Sequence, residues 1–177
     1  MKLVILDRDG VINVDSAQFI KTPEEWKPIP GSLEAIARLN QAGYTVVVAT
    51  NQSGIGRGLF DMATLNAINA KMHKALAQVG GRIEAIFYCP DTAESESDYR
   101  KPAPGMFLDI GERFAMPLEG VPAVGDSLRD LQAAAATKAR PLLVLTGKGQ
   151  KTLESGGLPE GTEVYPDLAA VAEALTP

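Results

Sequence analysis

The chain is almost without cysteine and histidine: Cys89 is its one thiol and His73 its one imidazole. A single cysteine excludes an internal disulfide, and alone it cannot build a cysteine-rich zinc site. Long hydrophobic runs are missing, so no segment reads as a membrane-spanning helix. Positive charge is not in excess: the formal net charge is −5, which argues against a broad nucleic-acid-binding surface. No charged, apolar and small-residue succession of a signal peptide opens the chain, and no repeat or low-complexity linker interrupts it. What remains is a chain of 177 residues, 45% hydrophobic and 22% charged, enough for a buried core. The expectation is one domain over 1–177, placed in the cytoplasm.

Apolar periodicity alternates between strand and helix. Leu3 to Leu6 is a short run buried on both faces, and it breaks abruptly into Asp7-Arg8-Asp9-Gly10. Asp15 to Pro30 is irregular, with Pro23, Pro28 and Pro30 blocking a helix, and Trp26 packs this loop. Ser32 caps a helix to about Ala42, stopped by Gly43. Tyr44 to Ala49 is a second buried strand. Asp61 caps a helix to about Val79, where Leu65, Ile68, Met72 and Leu76 recur at helical spacing. Strands follow at Ile83 to Tyr88, Val121 to Val124 and Leu142 to Leu145, with a weak sixth at Val164-Tyr165. Helices fill Met106 to Ala115, Leu128 to Ala139, and Asp167 to Leu175. Cys89 to Pro104 and Gly147 to Gly161 read as loops. The fold class is α/β: a three-layer, Rossmann-like arrangement with a mostly parallel sheet and right-handed crossovers.

In such sheets ligands bind beyond the carboxyl ends of the strands. Those ends carry Asp7 and Asp9, then Thr50 and Asn51, then Asp126 and Ser127, while the loop after the third strand delivers Arg100 and Lys101. Carboxylates gathered together repel unless a cation lies among them, and hard oxygen ligands without nearby histidine or cysteine favour Mg²⁺. A lysine and a hydroxyl opposite suit phosphoryl oxygens. The expected ligand is a phosphate and the expected chemistry phosphoryl transfer. Asp7, at the strand tip, is the better nucleophile. Asp9, two residues on, can protonate the leaving alkoxide and then deprotonate water. Taken singly, each residue has a plainer reading: a turn for Asp9, a surface lysine for Lys101, a helix cap for Thr50 or Asp126. Their coincidence at strand ends decides against those readings. His73 reads as a surface or partly buried residue rather than a catalytic one, and Cys89 as a small residue at a strand end.

The segments Leu6-Asp7-Arg8-Asp9-Gly10-Val11-Ile12-Asn13, Thr50-Asn51-Gln52-Ser53-Gly54, Arg100-Lys101-Pro102 and Gly125-Asp126-Ser127 resemble the haloacid dehalogenase superfamily of phosphatases. The stretch from Thr50 to Gly58 resembles its histidinol-phosphate and sugar-bisphosphate branch. The resemblance implies Asp7 as nucleophile and Asp9 as acid and base, with Mg²⁺ held by Asp7, the Asp9 carbonyl and Asp126. It implies Thr50 and Lys101 at the transferring phosphoryl group. It places Asp15, Ser16, Ala17, Gln18, Asn51, Gln52, Ser53, Arg100 and Ser127 around a small phosphorylated sugar. Arg57, by its charge, is assigned a second phosphate.

One departure concerns zinc. Related enzymes carry Cys-x-His followed by Cys-x-Cys before the Arg-Lys-Pro, whereas the matching places here hold Cys89, Asp91, Ser97 and Tyr99. A tetrahedral site needs all four ligands, so no structural zinc is expected. Roughly forty residues separate Asp9 from Thr50 and roughly fifty separate Thr50 from Lys101, about one crossover each, so no cap domain is expected. The chain is expected to act as a monomer. A phospho-accepting receiver domain and an inactive scaffold stand as the competing classes.

Overall fold

The computed structural model describes residues 1–177. Its frame is a six-stranded sheet in the order β3-β2-β1-β4-β5-β6, every neighbouring pair parallel. The strands are β1 (Lys2–Leu6), β2 (Tyr44–Asn51), β3 (Ala85–Cys89), β4 (Pro122–Gly125), β5 (Arg140–Val144) and β6 (Glu163–Tyr165). The helices are α1 (Ser32–Gln41), α2 (Ser53–Gly56), α3 (Met62–Gln78), α4 (Gly105–Arg113), α5 (Leu128–Ala136), α6 (Gly149–Ser155) and α7 (Leu168–Leu175).

The apolar runs are continuous because both faces of the sheet are covered. Alternate residues of one strand serve two separate cores. Val4 and Leu6 of β1, with Val46 and Val48 of β2, pack against Ile36 and Leu39 of α1, Ile68 and Met72 of α3, and Leu168 and Val171 of α7. Leu3 and Ile5, with Val47 and Ala49, pack on the other face against Met106, Phe107 and Ile110 of α4 and Ala133 and Ala134 of α5. The alanines of α5 let that helix lie close to the sheet.

Two expectations need correction. The segment from 147 to 161 contains α6 rather than a continuous surface loop. Gly149 at the start of α6 stands where a Cβ would collide with the Val144 carbonyl oxygen, so the glycine there is a packing requirement and not a loop signal. Ser32 is not the cap of α1. Gly31 takes that place with φ +88°, and the Ser32 hydroxyl instead donates to the Val11 carbonyl at 2.9 Å. Trp26 is completely buried in the first core beneath the 15–30 segment. His73 is exposed on α3.

The chain leaves β1 toward β2 and β3 on one side and returns through β4 on the other. The crevice between β1 and β4, at their carboxyl ends, is therefore the topological switch point of the sheet. No helix is long and apolar enough to cross a membrane.

Candidate active site

The crevice at the switch point is polar: only Ala17 and Phe19 of its 17 lining residues are apolar. Asp7 and Asp126 enter it directly from the ends of β1 and β4, and Asp130 follows one turn into α5. Carboxylate oxygens of these three residues lie within 4.8 Å of one another. Burial, then the charge of Asp130, push Asp7 up to about 7 despite the nearby Lys101 ammonium. Burial, with Asp130 and Asp7, pushes Asp126 up to about 8. Such a cluster is stable as anions only with a cation in it.

The residues fit a divalent ion. The hydrogen bond and ion pair of Asp7 both involve Oδ1, to the Arg8 amide at 2.8 Å and to Lys101 Nζ at 3.3 Å, which leaves Oδ2 without a protein donor. Asp126 accepts through Oδ2 from the Lys148 amide at 2.9 Å, and Oδ1 is free. Gly10, at φ +85°, and Gly147, at φ +56°, flank the Asp126 carboxylate so closely that a Cβ on either would overlap it. Asp130 differs. Its Oδ1 accepts from Lys101 Nζ at 2.6 Å, and its Oδ2 accepts from the Asp126 amide and from the Ser127 amide and hydroxyl at 3.1–3.2 Å. Both oxygens are taken by protein donors, so Asp130 positions its neighbours.

Lys101 is 2% exposed, and its three donors are committed to the Ala49 carbonyl, Asp130 and Asp7. Burial alone would lower its affinity for a proton, but Asp130 and Asp7 outweigh burial and hold the ammonium above the ordinary lysine value. Burial likewise works to raise Asp130, but the Lys101 charge and the converging donors outweigh it and hold the carboxyl below the usual range. Asn51 fixes the Lys101 segment to β2 through paired bonds: its Nδ2 donates to the Lys101 carbonyl at 3.1 Å, and its Oδ1 accepts from the Lys101 amide at 3.0 Å. Thr50 is buried at the same strand end.

Asp9 lines the crevice with its side chain 22% exposed. Arg8 Nε donates to Asp9 Oδ1 at 2.8 Å, and Asn13 Nδ2 donates to the same oxygen at 3.1 Å. On the crevice rim stand Arg57, Arg100 and Arg129. Burial, then the Arg129 and Arg57 charges, push the Arg100 guanidinium below its ordinary value. Arg57 lies 3.7 Å from Glu94, and Arg100 donates to the Asp91 carbonyl at 3.2 Å. Asp15, Ser16 and Ala17 also line the crevice, with Lys148 Nζ 3.6 Å from Asp15.

Of the residues expected from sequence, the crevice brings together Asp7, Asp9, Asp15, Ser16, Ala17, Thr50, Asn51, Ser53, Arg57, Arg100, Lys101, Asp126 and Ser127. It does not include Gln18 or Gln52. Gln18 borders a neighbouring depression with Lys21 and Glu24. Gln52 is buried and donates to Thr50 Oγ1 at 3.0 Å, so it holds the threonine. Sequence reasoning missed Asp130, Arg129 and Lys148. The Ser127-x-x-Asp130 spacing is a capping box and could have flagged Asp130.

At the end of β3, Cys89 Sγ lies 3.5 Å from Asp91 Oδ2 and 3.9 Å from Ser97 Oγ in the loop that follows. Tyr99 turns away and donates its hydroxyl to Asp109 at 2.7 Å.

Residues 1–137 match the family described as haloacid dehalogenase-like hydrolase. The chain belongs to that family. It is 65% identical to a D-glycero-beta-D-manno-heptose-1,7-bisphosphate 7-phosphatase of Bordetella bronchiseptica, with 99% of this chain and 98% of that protein covered. It is 56% identical to the Pseudomonas aeruginosa protein of the same name, covering 98% and 97%. The crystal structure of D,D-heptose 1,7-bisphosphate phosphatase from B. bronchiseptica, complexed with magnesium and phosphate, superposes with a TM-score of 0.98 over 99% of this chain and 98% of that one. The corresponding structure from Burkholderia thailandensis, 60% identical, gives 0.80 over 99% and 98%.

Proposed function

We propose that the chain is a Mg²⁺-dependent phosphoric monoester hydrolase that removes the C7 phosphate of D-glycero-β-D-manno-heptose 1,7-bisphosphate. The observation that carries this reading is the crevice itself. It brings a carboxylate cluster fit for a cation and three arginines, Arg57, Arg100 and Arg129, into one crevice, a set of charges suited to a substrate with two phosphates. The named relatives support the sugar and its β anomer. The product would enter ADP-heptose synthesis for the lipopolysaccharide core. We place the protein in the cytoplasm, as a monomer and as one catalytic domain over 1–177, with no nucleic-acid partner.

Asp7 attacks phosphorus and forms an aspartyl-phosphate as the bond to the sugar oxygen breaks. Asp9 gives its proton to that oxygen, then takes one from the water that hydrolyses the intermediate. Mg²⁺ would be held by Asp7, the Asp9 carbonyl and Asp126, and when bound it neutralises charge on the phosphoryl oxygens. Thr50, and Lys101 through its buried positive charge, stabilise the same oxygens. Arg57, Arg100 and Arg129 receive the second phosphate. The 89–100 loop is ordered by the bonds around Cys89 and Ser97 in place of a structural zinc.

The test is phosphate release from both anomers of the heptose bisphosphate, fructose bisphosphate and histidinol phosphate. Asp7→Asn and Asp9→Asn are assayed alongside. The reading requires the β-heptose bisphosphate to give the highest kcat/KM and both variants to lose turnover by orders of magnitude. Preference for histidinol phosphate would refute the substrate assignment, and an unchanged bisphosphate KM in Arg57→Ala would refute the role of Arg57. Stable phosphorylation of Asp7 without hydrolysis would favour a receiver.

A further inference from the structure

Arg8 is fully buried, and its two terminal nitrogens, NH1 and NH2, have no hydrogen-bond partner. A buried guanidinium with most of its donors unpaired costs stability. Asn13 is also completely buried, with its own Oδ1 unpartnered. The two residues share one target. Arg8 Nε and Asn13 Nδ2 both donate to Oδ1 of Asp9, and Oδ2 of Asp9 accepts from no protein group.

The turn that carries them is stiff. The Arg8 carbonyl accepts from the amides of Val11, Ile12 and Asn13, and the Gly10 amide donates to the Asn13 carbonyl at 2.8 Å. Val11 and Ile12, next along the turn, are buried in the first core. The clamp is therefore fixed to the body of the fold, while Asp9 reaches into the crevice.

We propose that Arg8 and Asn13 are positioning residues that hold Asp9 Oδ1 and thereby confine its exchanged proton to Oδ2. This inference rests on Asp9 being the acid and base. In the first step the proton leaves Oδ2 for the bridging oxygen as the P–O bond to the alcohol breaks and the Asp7–phosphorus bond forms. In the second, water gives its proton to Oδ2 and its oxygen to phosphorus, releasing phosphate and restoring both carboxyl groups. A carboxyl free to rotate about its bond would present the proton in this geometry only part of the time. Of the two Asp9 oxygens, only Oδ2 is free of protein donors.

Leaving groups that need protonation report on the clamp. Phenyl phosphate departs poorly without an acid, whereas p-nitrophenyl phosphate departs readily. The quantity compared is kcat/KM, which covers only the steps through loss of the alcohol. In Arg8→Met, kcat/KM for phenyl phosphate should fall by about 10–100-fold, part of the typical acid–base contribution. For p-nitrophenyl phosphate the fall should stay within about threefold, and inhibition by inorganic phosphate should be unchanged. Arg8→Lys, which keeps a buried donor, should recover part of the loss. An equal fall for both substrates, or no fall, overturns the clamp. Asp9→Asn separates this from the parent reading. Selective loss in Asp9→Asn without selective loss in Arg8→Met overturns the clamp alone, whereas equal loss in Asp9→Asn overturns the acid assignment and the clamp with it. If Arg8→Met does not fold, Asn13→Ala removes the second donor and carries the same comparison.

Discussion

Replacing Asp130 by Asn should unfold the site from its centre. Four donors converge on this carboxylate: Lys101 Nζ on Oδ1, and the Asp126 amide, Ser127 amide and Ser127 hydroxyl on Oδ2. An amide of the same shape has one acceptor oxygen. Whichever way it turns, its NH₂ faces either the Lys101 ammonium or the backbone amides at the head of α5. Lys101 would keep its buried charge and lose its shortest ion pair. Removing one partner of a buried pair costs about 3–5 kcal/mol. For a chain of this size that is a fall in Tm of about 6–20 °C. Urea unfolding of metal-free protein gives the free energy directly. The Asp130 carboxyl is held below its ordinary value, so the stabilisation is present above the unfolded value and is lost as pH falls through the depressed one. The gap between Asp130→Asn and the parent chain should accordingly narrow below about pH 4. Lys101→Met combined with Asp130→Asn should cost less than the sum of the two, because the orphaned charge is gone. A single-variant loss under about 1 kcal/mol, or additivity within about 0.5 kcal/mol, would refute the buried-pair reading.

Asp7 and Asp126 carry raised values of about 7 and about 8 without metal, so the folded chain holds protons that the unfolded chain has released. Metal-free stability should therefore fall as pH rises from about 4 toward 8, and Mg²⁺ should bind more tightly at about pH 8 than at about pH 6. Calorimetric titration in two buffers of different ionisation enthalpy should show protons released on Mg²⁺ binding at about pH 6.5, and none released would contradict the acidic cluster. Gly10→Ala places a Cβ against the Asp126 carboxylate at φ +85°. It should cost about 1–3 kcal/mol from backbone strain alone and weaken Mg²⁺ at least about tenfold, read by the same titration. Leu39→Ala, in the core between α1 and the sheet, should cost about 2–5 kcal/mol in urea with little change in kcat at low temperature.

The strand and helix succession was legible because a sheet covered on both faces leaves continuous apolar runs between polar breaks. Val46-Val47-Val48 could be nothing else once Gly43 and Asn51 bounded it. The Asp7, Thr50 and Asp126 positions were legible for the same reason, since each stands where an apolar run ends, while Lys101 was legible as the cation delivered by the polar loop after β3. What the run-and-break pattern conceals is any element whose residues serve a distant neighbour. Helix α6 was hidden behind Gly147 and Gly149, which the Asp126 carboxylate and the Val144 carbonyl demand. Ser16 and Gln18 are two residues apart in the chain, yet Ser16 lines the crevice and Gln18 does not.

Local chemistry by itself determined a parallel α/β sheet, a crevice at strand ends, and carboxylates there beside a lysine. Each follows from burial and hydrogen bonding within a few residues. Tertiary structure decided which charges are free to act. It paired Lys101 with Asp130 across 29 residues of chain, spending both oxygens of Asp130 and leaving Oδ2 of Asp7 and Oδ1 of Asp126 open. It also set Arg57, Arg100 and Arg129 on one rim. Such pairings depend on distances across the fold, and a sequence carries those only through the packing that produces them.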